Sequence, residues 1–424
     1  MPLFNRSQEP VLPGHLPLPT GPYAVGYQDI MTPGDPTSGV YVRVYYPSIH
    51  PVNETINMSE LWPVWADDDY LVGFVKFMQI MLEKWPSWAP RGEFMYFDQM
   101  KVIAPMMHIG CKQVFKLLNG TVHCPILKGV QISTEKKWPL IVFSHGLGCN
   151  RFAYSRICTD LASHGFIVAA TEHRDGSSSL SSYFTEDKKK TWIPHRKLSD
   201  QDKEYAARNQ QLQQRCSEMQ RTLDLMINLS SDTTEVLNIL EDSDDLSMFE
   251  DQIDHSEPVA AGHSFGGATT LLTLHKESRF KIGLVLDGWL FPLKEEIFNP
   301  TQPIVFINTE SFLNRNNISK MREFLTHPED RRMVFIKGSV HQNHIDAPLI
   351  FKSVAVKKII GMHSETDAGV VLDINNKLMI HFIASRLNLG IDPSLELFLT
   401  HHESVIIEAT DKETDVEKTA TADQ

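Results

Sequence analysis

No apolar run in the 424 residues approaches the roughly 20 that a bilayer-spanning helix needs, so nothing reads as a membrane span. Cysteine is scarce. The five thiols, Cys111, Cys124, Cys149, Cys158 and Cys216, are too few and too irregularly spaced for a disulfide framework or a zinc site, and free thiols in a reducing compartment are the economical reading. Positive charge is also in deficit: 40 Lys and Arg face 53 Asp and Glu, and the net charge of −13 argues against a nucleic-acid partner. The first residues lack a basic segment followed by an apolar core, which excludes a secretory signal as written, and Pro2 excludes N-myristoylation. Sequons such as Asn53-Glu54-Thr55 and Asn317-Ile318-Ser319 matter only to a secreted chain. The expectation is a cytoplasmic protein. No cofactor or metal signature is present, so neither is expected.

What is present centres on Gly262-His263-Ser264-Phe265-Gly266-Gly267, which follows the apolar run Val259-Ala260-Ala261 and precedes Ala268-Thr269-Thr270-Leu271-Leu272. This reads as a nucleophile elbow. A serine hydroxyl is a weak nucleophile and must be held at the tip of a sharp strand-to-helix turn, where a base and a substrate carbonyl both reach it. Small residues two before and two after Ser264 make such a bend possible. The helix that follows aims its first N–H groups and positive dipole end at the same point. A short pattern of this kind also arises by chance, and the flanking strand-like and helix-like segments are what give it weight.

Forty-two per cent hydrophobic residues over this length suffice for one large α/β domain with insertions or for two smaller domains. Residues 1–20 are proline-rich and read as an extended arm, 21–400 as one α/β domain, and 401–424 as a disordered acidic tail. Val40 to Pro47 alternates β-branched and aromatic residues as an early strand does. Between Asp67 and Leu118 the pattern is helical. Pro139 to Ser144 and Gly165 to Ala170 are buried strands around a helix built on Tyr154, Ile157, Leu161 and Ala162; this βαβ unit implies a parallel sheet with helices on both faces. Residues 184–204 are polar and basic, residues 202–229 form a long helix, and Glu241-Asp242-Ser243-Asp244-Asp245 is a solvated loop. Three further strands follow the elbow, Ile282 to Asp287, Pro303 to Asn308 and Met333 to Lys337.

In an α/β-hydrolase the order along the chain is serine, carboxylate, histidine. Asp287 closes the first strand after the elbow helix, on the edge where ligands bind in open parallel sheets. His341 follows the strand 333–337 across Gly338-Ser339-Val340, on the same edge. His341 would take the proton from Ser264 and return it to the departing alcohol, while Asp287 fixes its tautomer and stabilises the imidazolium. Asp254, Asp346, His255, His263, His275 and His344 compete, with His344 the nearest rival to His341. The turn Ser144-His145-Gly146-Leu147-Gly148 can offer the N–H of Leu147 to a developing oxyanion, and Phe265 supplies a second N–H. Each such donor is worth on the order of 10²–10³ in rate.

From about residue 21 to about 389 the chain resembles the platelet-activating factor acetylhydrolases of the plasma and type II intracellular branch. The likeness rests on Tyr45-Tyr46-Pro47-Ser48, Phe143 to Gly148, Leu161 to Ala170, Glu172-His173-Arg174-Asp175, Gly262 to Gly267, Leu286-Asp287-Gly288-Trp289 and Ile336 to Asn343. The resemblance implies an α/β-hydrolase fold with serine Ser264, acid Asp287, base His341 and hole donors Leu147 and Phe265. It implies calcium-independent removal of acetyl or oxidatively truncated sn-2 acyl groups from phospholipids. It also implies contact with a membrane or lipoprotein surface. For that surface, Val114, Phe115, Leu117 and Leu118 beside Lys112 and Lys116, and Phe351, Val354, Ile359 and Ile360 among Lys352, Lys357 and Lys358, are the candidates; amphipathic helices facing the core give the same pattern. A general carboxylesterase or lipase of the same fold, and a non-catalytic scaffold, are the alternative functions.

Overall fold

A computed structural model of the protein describes residues 14–52, 58–84, 119–185, 187–199, 202–241, 245–312, 315–326 and 330–409. Twelve strands are found among them: β1 Val25–Met31, β2 Tyr41–Pro47, β3 Leu127–Lys128, β4 Trp138–Ser144, β5 Ile167–Thr171, β6 Leu180–Phe184, β7 Lys190–Pro194, β8 Ile253–His263, β9 Ile282–Leu286, β10 Ile304–Thr309, β11 Arg331–Ile336 and β12 Ile406–Glu408. Ten of them form one sheet in the order β12-β11-β10-β9-β8-β4-β5-β2-β1-β3, and β6 and β7 form a separate hairpin. The neighbours from β5 through β4, β8, β9 and β10 to β11 are all parallel, whereas β1 with β2, β2 with β5, and β11 with β12 are antiparallel. The sheet is mainly parallel, as in an α/β-hydrolase.

The period of two in a strand sends alternate side chains to opposite layers. In β4, Ile141 and Phe143 enter one apolar cluster and Leu140 and Val142 the other. Helix α1 (Asp68–Lys84) contributes Tyr70 and Leu71 to the first cluster, and α2 (Ser155–Ser163) adds Ile157, Cys158, Leu161 and Ala162 to it. The second cluster is covered by α3 (Glu204–Ser231), α4 (Phe265–Lys276) and α5 (Arg315–Glu323) through Leu212, Met219, Leu223, Leu271 and Met321. Further along lie the short α6 (Ala347–Ile350) and α7 (Val354–Ile359), then α8 (Ala368–Arg386), which returns to the first cluster with Val371, Ile374, Met379 and Ile383, and α9 (Pro393–His401). Helices therefore cover both faces, as the βαβ pattern predicts.

Helix α3 presents a second, polar stripe. Arg208, Gln211, Arg215, Glu218 and Thr222 are all buried, and their spacing of three and four residues places them on one side. They face the loops that leave β4 and β5, so the helix carries an ionic scaffold for the site as well as an apolar one.

One expectation needs correction. The boundary of the tail at residue 401 is too early, because Ile406–Glu408 pairs with β11 and Lys337 N–H donates to Val405 C=O at 2.8 Å. Only a three-residue strand in polar surroundings forms there, too short for periodicity to register. The polar, basic stretch 184–204 includes β7, and just beyond the acidic loop 241–245 the chain buries Met248 and Phe249. At the other end the arm is tied down where it is described: Leu16 is buried, and Thr20 N–H donates to the Asp160 carboxylate at 2.6 Å. Of the described cysteines, Cys124, Cys149, Cys158 and Cys216 are free thiols.

Candidate active site

Strand β8 ends at His263, and the chain turns at Ser264 directly into α4. Ser264 has φ 57° and ψ −116°, a sparsely populated region whose cost is of order 1–3 kcal/mol and must be offset by surrounding structure. Ser264 N–H donates to Leu286 C=O at 2.9 Å, and its own C=O accepts from Trp289 N–H at 2.8 Å and Gly267 N–H at 2.9 Å. The turn is thus stitched to the chain on both sides of Asp287. The flanking glycines are steric requirements: a Cβ on Gly266 would stand 2.0 Å from Ser144 O, and one on Gly262 2.3 Å from Gly266 O.

Asp287 follows β9 with φ 42°, a conformation that Asp tolerates better than most residues. Its carboxylate is fully buried and accepts from Thr309 N–H at 2.7 Å, from the Thr309 hydroxyl and from His341 Nδ1 at 3.0 Å; His344 Nε2 lies 3.4 Å away. Burial alone would raise its pKa, but the His344 and His341 imidazoles outweigh it and hold the carboxyl well below the usual range. The acid is therefore an anion with a fixed set of donors.

His341 opens the 3₁₀ turn His341–His344 after β11 and Gly338. With Nδ1 committed to Asp287, its Nε2 is the nitrogen available for proton transfer. The ring is stacked on Phe312 at 3.9 Å and 18°, and it meets His263 on another side at 4.4 Å and 38°. Exposure follows role: the side chain of His341 is 21% exposed, that of Asp287 0%.

The turn after β4 passes beside the serine, since a Cβ on Gly146 would lie 3.3 Å from Ser264 Cβ. Among the described residues the N–H groups of Leu147 and Phe265 have no protein partner, as an oxyanion hole requires. Behind the turn, fully buried Arg215 donates to His145 C=O at 2.6 Å and to Asp175 Oδ2 at 3.1 Å. His173 bridges Ser144 Oγ at 2.7 Å and Glu218 Oε2 at 2.6 Å. Breaking one partner out of such a buried ion pair costs about 3–5 kcal/mol, so the turn is held rigidly.

The structure brings Ser264, Asp287 and His341 to one sheet edge with Leu147 and Phe265. Of the rivals, His263 and His344 also lie here, beside His341 and against Asp287, whereas Asp346, Asp254, His255 and His275 are engaged elsewhere. Asp346 accepts from Trp65 Nε1 and from the N–H groups of Ser155 and Arg156 at 2.8–2.9 Å, and so caps α2. His344 sits behind the acid with Nδ1 accepting from Asn375 Nδ2 at 2.8 Å. Asp254 and His255 lie near the start of β8, the far end of that strand, and His275 is exposed at the end of α4. His263, Asp287 and His341 are the one trio of metal-ligand type found among the described residues, with ligand atoms within 4.8 Å of one another. The Asp287–His341 and His263–Tyr154 hydrogen bonds already engage an atom of each.

Of the proposed surface residues, Val114, Phe115, Leu117 and Leu118 lie outside the described residues, as does the side chain of Ile359. Phe351 and Ile360, at the flanks of the short α7, are half-buried and pack against the core. Val354 is 54% exposed. Sequence reasoning missed Thr309, Phe312, Tyr154 and Arg215. Thr309 alone had a signal, because it ends the strand next to the acid's strand.

Sheet order and the strand-to-helix turn at Ser264 define an α/β-hydrolase fold, with a candidate serine site at its edge. A solved ferulic acid esterase from Streptomyces cinnamoneus shares this fold with a TM-score of 0.57 at 14% identity, over 94% of this chain and 100% of that one. The chain belongs to the family described as platelet-activating factor acetylhydrolase, isoform II, whose profile matches residues 13–86 and 81–394. It is 33% identical over 93% of its length to platelet-activating factor acetylhydrolase of Bos taurus, covering 86% of that protein. To the chicken protein of the same name (Gallus gallus) it is 34% identical over 89% of its length and 85% of the relative's. A putative phospholipase A2 of Schizosaccharomyces pombe is 26% identical over 61% of the chain and 70% of its own.

Proposed function

We propose that the protein hydrolyses the sn-2 acetyl or short, oxidatively truncated acyl ester of phospholipids such as platelet-activating factor, through an acyl-enzyme on Ser264. The observation that carries this reading is the site of a family member in which a strained serine at a helix N-terminus shares a sheet edge with a buried Asp287–His341 pair. His341 Nε2 takes the Ser264 proton as Oγ attacks the sn-2 carbonyl, and the Leu147 and Phe265 N–H groups receive the oxyanion. Asp287 holds the Nδ1 proton and stabilises the imidazolium. Collapse of the intermediate expels the lysophospholipid alcohol, which takes the proton from His341. Water then attacks the acyl-enzyme by the same route and frees the carboxylate and Ser264.

The substrate is amphiphilic, and peripheral contact with a membrane belongs to this proposal. No helix of the described residues is long and apolar enough to cross one. A fluorophosphonate probe and a series of sn-2 acyl lengths on phosphatidylcholine test the reading. Labelling at Ser264 with turnover falling steeply from acetyl to palmitoyl is expected, and Ser264→Ala should abolish both. Full labelling with equal turnover of long chains would point to a general lipase instead; activity surviving in Ser264→Ala would overturn the serine assignment.

A further inference from the structure

The site contains a buried hydroxyl that none of these steps uses. Tyr154 immediately precedes α2, is 1% exposed, and its oxygen lies 2.9 Å from Gly146 N and 2.7 Å from His263 Nδ1. A backbone nitrogen can only donate, so the phenol oxygen accepts from Gly146, and it gives its own proton to His263 Nδ1 in the tautomer that carries the ring proton on Nε2. Each partner adjoins one half of the machinery. Gly146 precedes Leu147, the proposed hole donor, and His263 precedes Ser264 while its ring lies 4.4 Å from that of His341.

The groups around this hydroxyl keep it neutral. Burial pushes the Tyr154 phenol well above its ordinary range, and it pushes His263 well below the usual imidazole value, reinforced by His341 and His344. The Cys149 thiol beside the hydroxyl is pushed up to about 11 by burial. A neutral ring next to His341 matters, since a second cation there would oppose formation of the imidazolium on which acyl transfer depends.

We infer that Tyr154 is a positioning residue: through one hydroxyl it sets the oxyanion turn at Gly146 and the neutral His263 ring against which His341 rests, so that hole and base keep a common register. It does not touch the reacting atoms. The inference rests on the serine-hydrolase reading of this site.

Tyr154→Phe keeps the ring packed on Phe143, 4.9 Å away, and removes only the oxygen. The expected result on an acetyl ester is a fall in kcat of about 10²-fold, the scale of a small misplacement of catalytic groups, with KM little changed. A wild-type kcat in a folded Tyr154→Phe protein, or a loss confined to KM, would overturn the inference. A second pair of variants serves where Tyr154→Phe fails to fold. His263→Asn presents Oδ1 where Nδ1 stood and preserves the acceptor, whereas His263→Leu abolishes it; His263→Asn should retain the greater kcat, and equal losses would count against the brace. Ser264→Ala assayed alongside separates the two readings. Activity in Ser264→Ala sinks the serine site itself, while an inactive Ser264→Ala with an unimpaired Tyr154→Phe sinks only the brace.

Discussion

At the scale of single residues, two buried carboxylates that the sequence leaves in competition are separated by what surrounds them. Asp287 is bound by imidazoles and by Thr309, whereas Asp346 is bound by an indole and by the first N–H groups of α2. Asp287→Asn is expected to lower kcat by about 10⁴-fold while the protein stays folded, because the amide cannot hold His341 in the working tautomer. Asp346→Asn is expected instead to lower the unfolding free energy by about 0.5–2 kcal/mol, the range for a lost helix cap, and to leave kcat nearly unchanged. Steady-state kinetics with urea unfolding on both variants checks the pair, and a larger kcat loss at Asp346 would move the acid. The shared placement of the proposed triad, Ser264, Asp287 and His341, was legible because each sits beyond a strand whose apolar run is visible. Tyr154 was not. An aromatic residue at the head of an apolar helix reads as core, and nothing in sequence spacing reveals that its hydroxyl meets a glycine eight residues back and a histidine 109 residues on.

At the scale of elements, β4, β5, β8, β9, β10 and β11 all follow segments that the sequence marks as strands, since a buried parallel strand is apolar along its whole length. Strands β1, β6, β7 and β12 carry weaker signals: they are antiparallel, lie towards an edge or form a hairpin, and mix polar residues into the pattern. Helix α7 shows how an amphipathic reading divides in three dimensions. Phe351 and Ile360 serve the core, which leaves exposed Val354 with Lys352 and Lys358 on the outside. Under the proposed membrane contact, this segment would meet lipid mainly through charge. Changing both lysines to Gln is expected to weaken partition onto anionic vesicles by about 2 kcal/mol, roughly 30-fold, at about 1 kcal/mol per lysine. Vesicle sedimentation measures it, and a Val354→Ser variant that loses more than the lysine pair would show the contact to be apolar.

At the scale of the whole molecule, burial of uncharged histidines links folding to pH. His145 and His263 are both pushed well below the ordinary imidazole range by burial. The unfolded chain takes up protons below about pH 6.5 that the native state refuses, so stability present above that pH is lost as pH falls, by up to about 1.4 kcal/mol per unit for each ring. Asp346, pushed up to about 7 by burial, acts in the opposite sense. It takes a proton more readily folded than unfolded, and between about pH 4 and 7 it returns part of that loss as pH falls. The net expectation is an unfolding free energy in urea that declines from pH 7 to pH 5, and a flat or rising profile over that interval would contradict it.

Strand β12 gives the last rung of the sheet a mechanical meaning. It lies on β11, the strand that leads into the turn bearing His341, and β12 is held there by a single partner. An outermost ribbon can peel away one bond at a time while the interior stays zipped. The imidazole's mooring is thus among the first things that fraying would loosen, and turnover is set to fade before the apolar layers come apart.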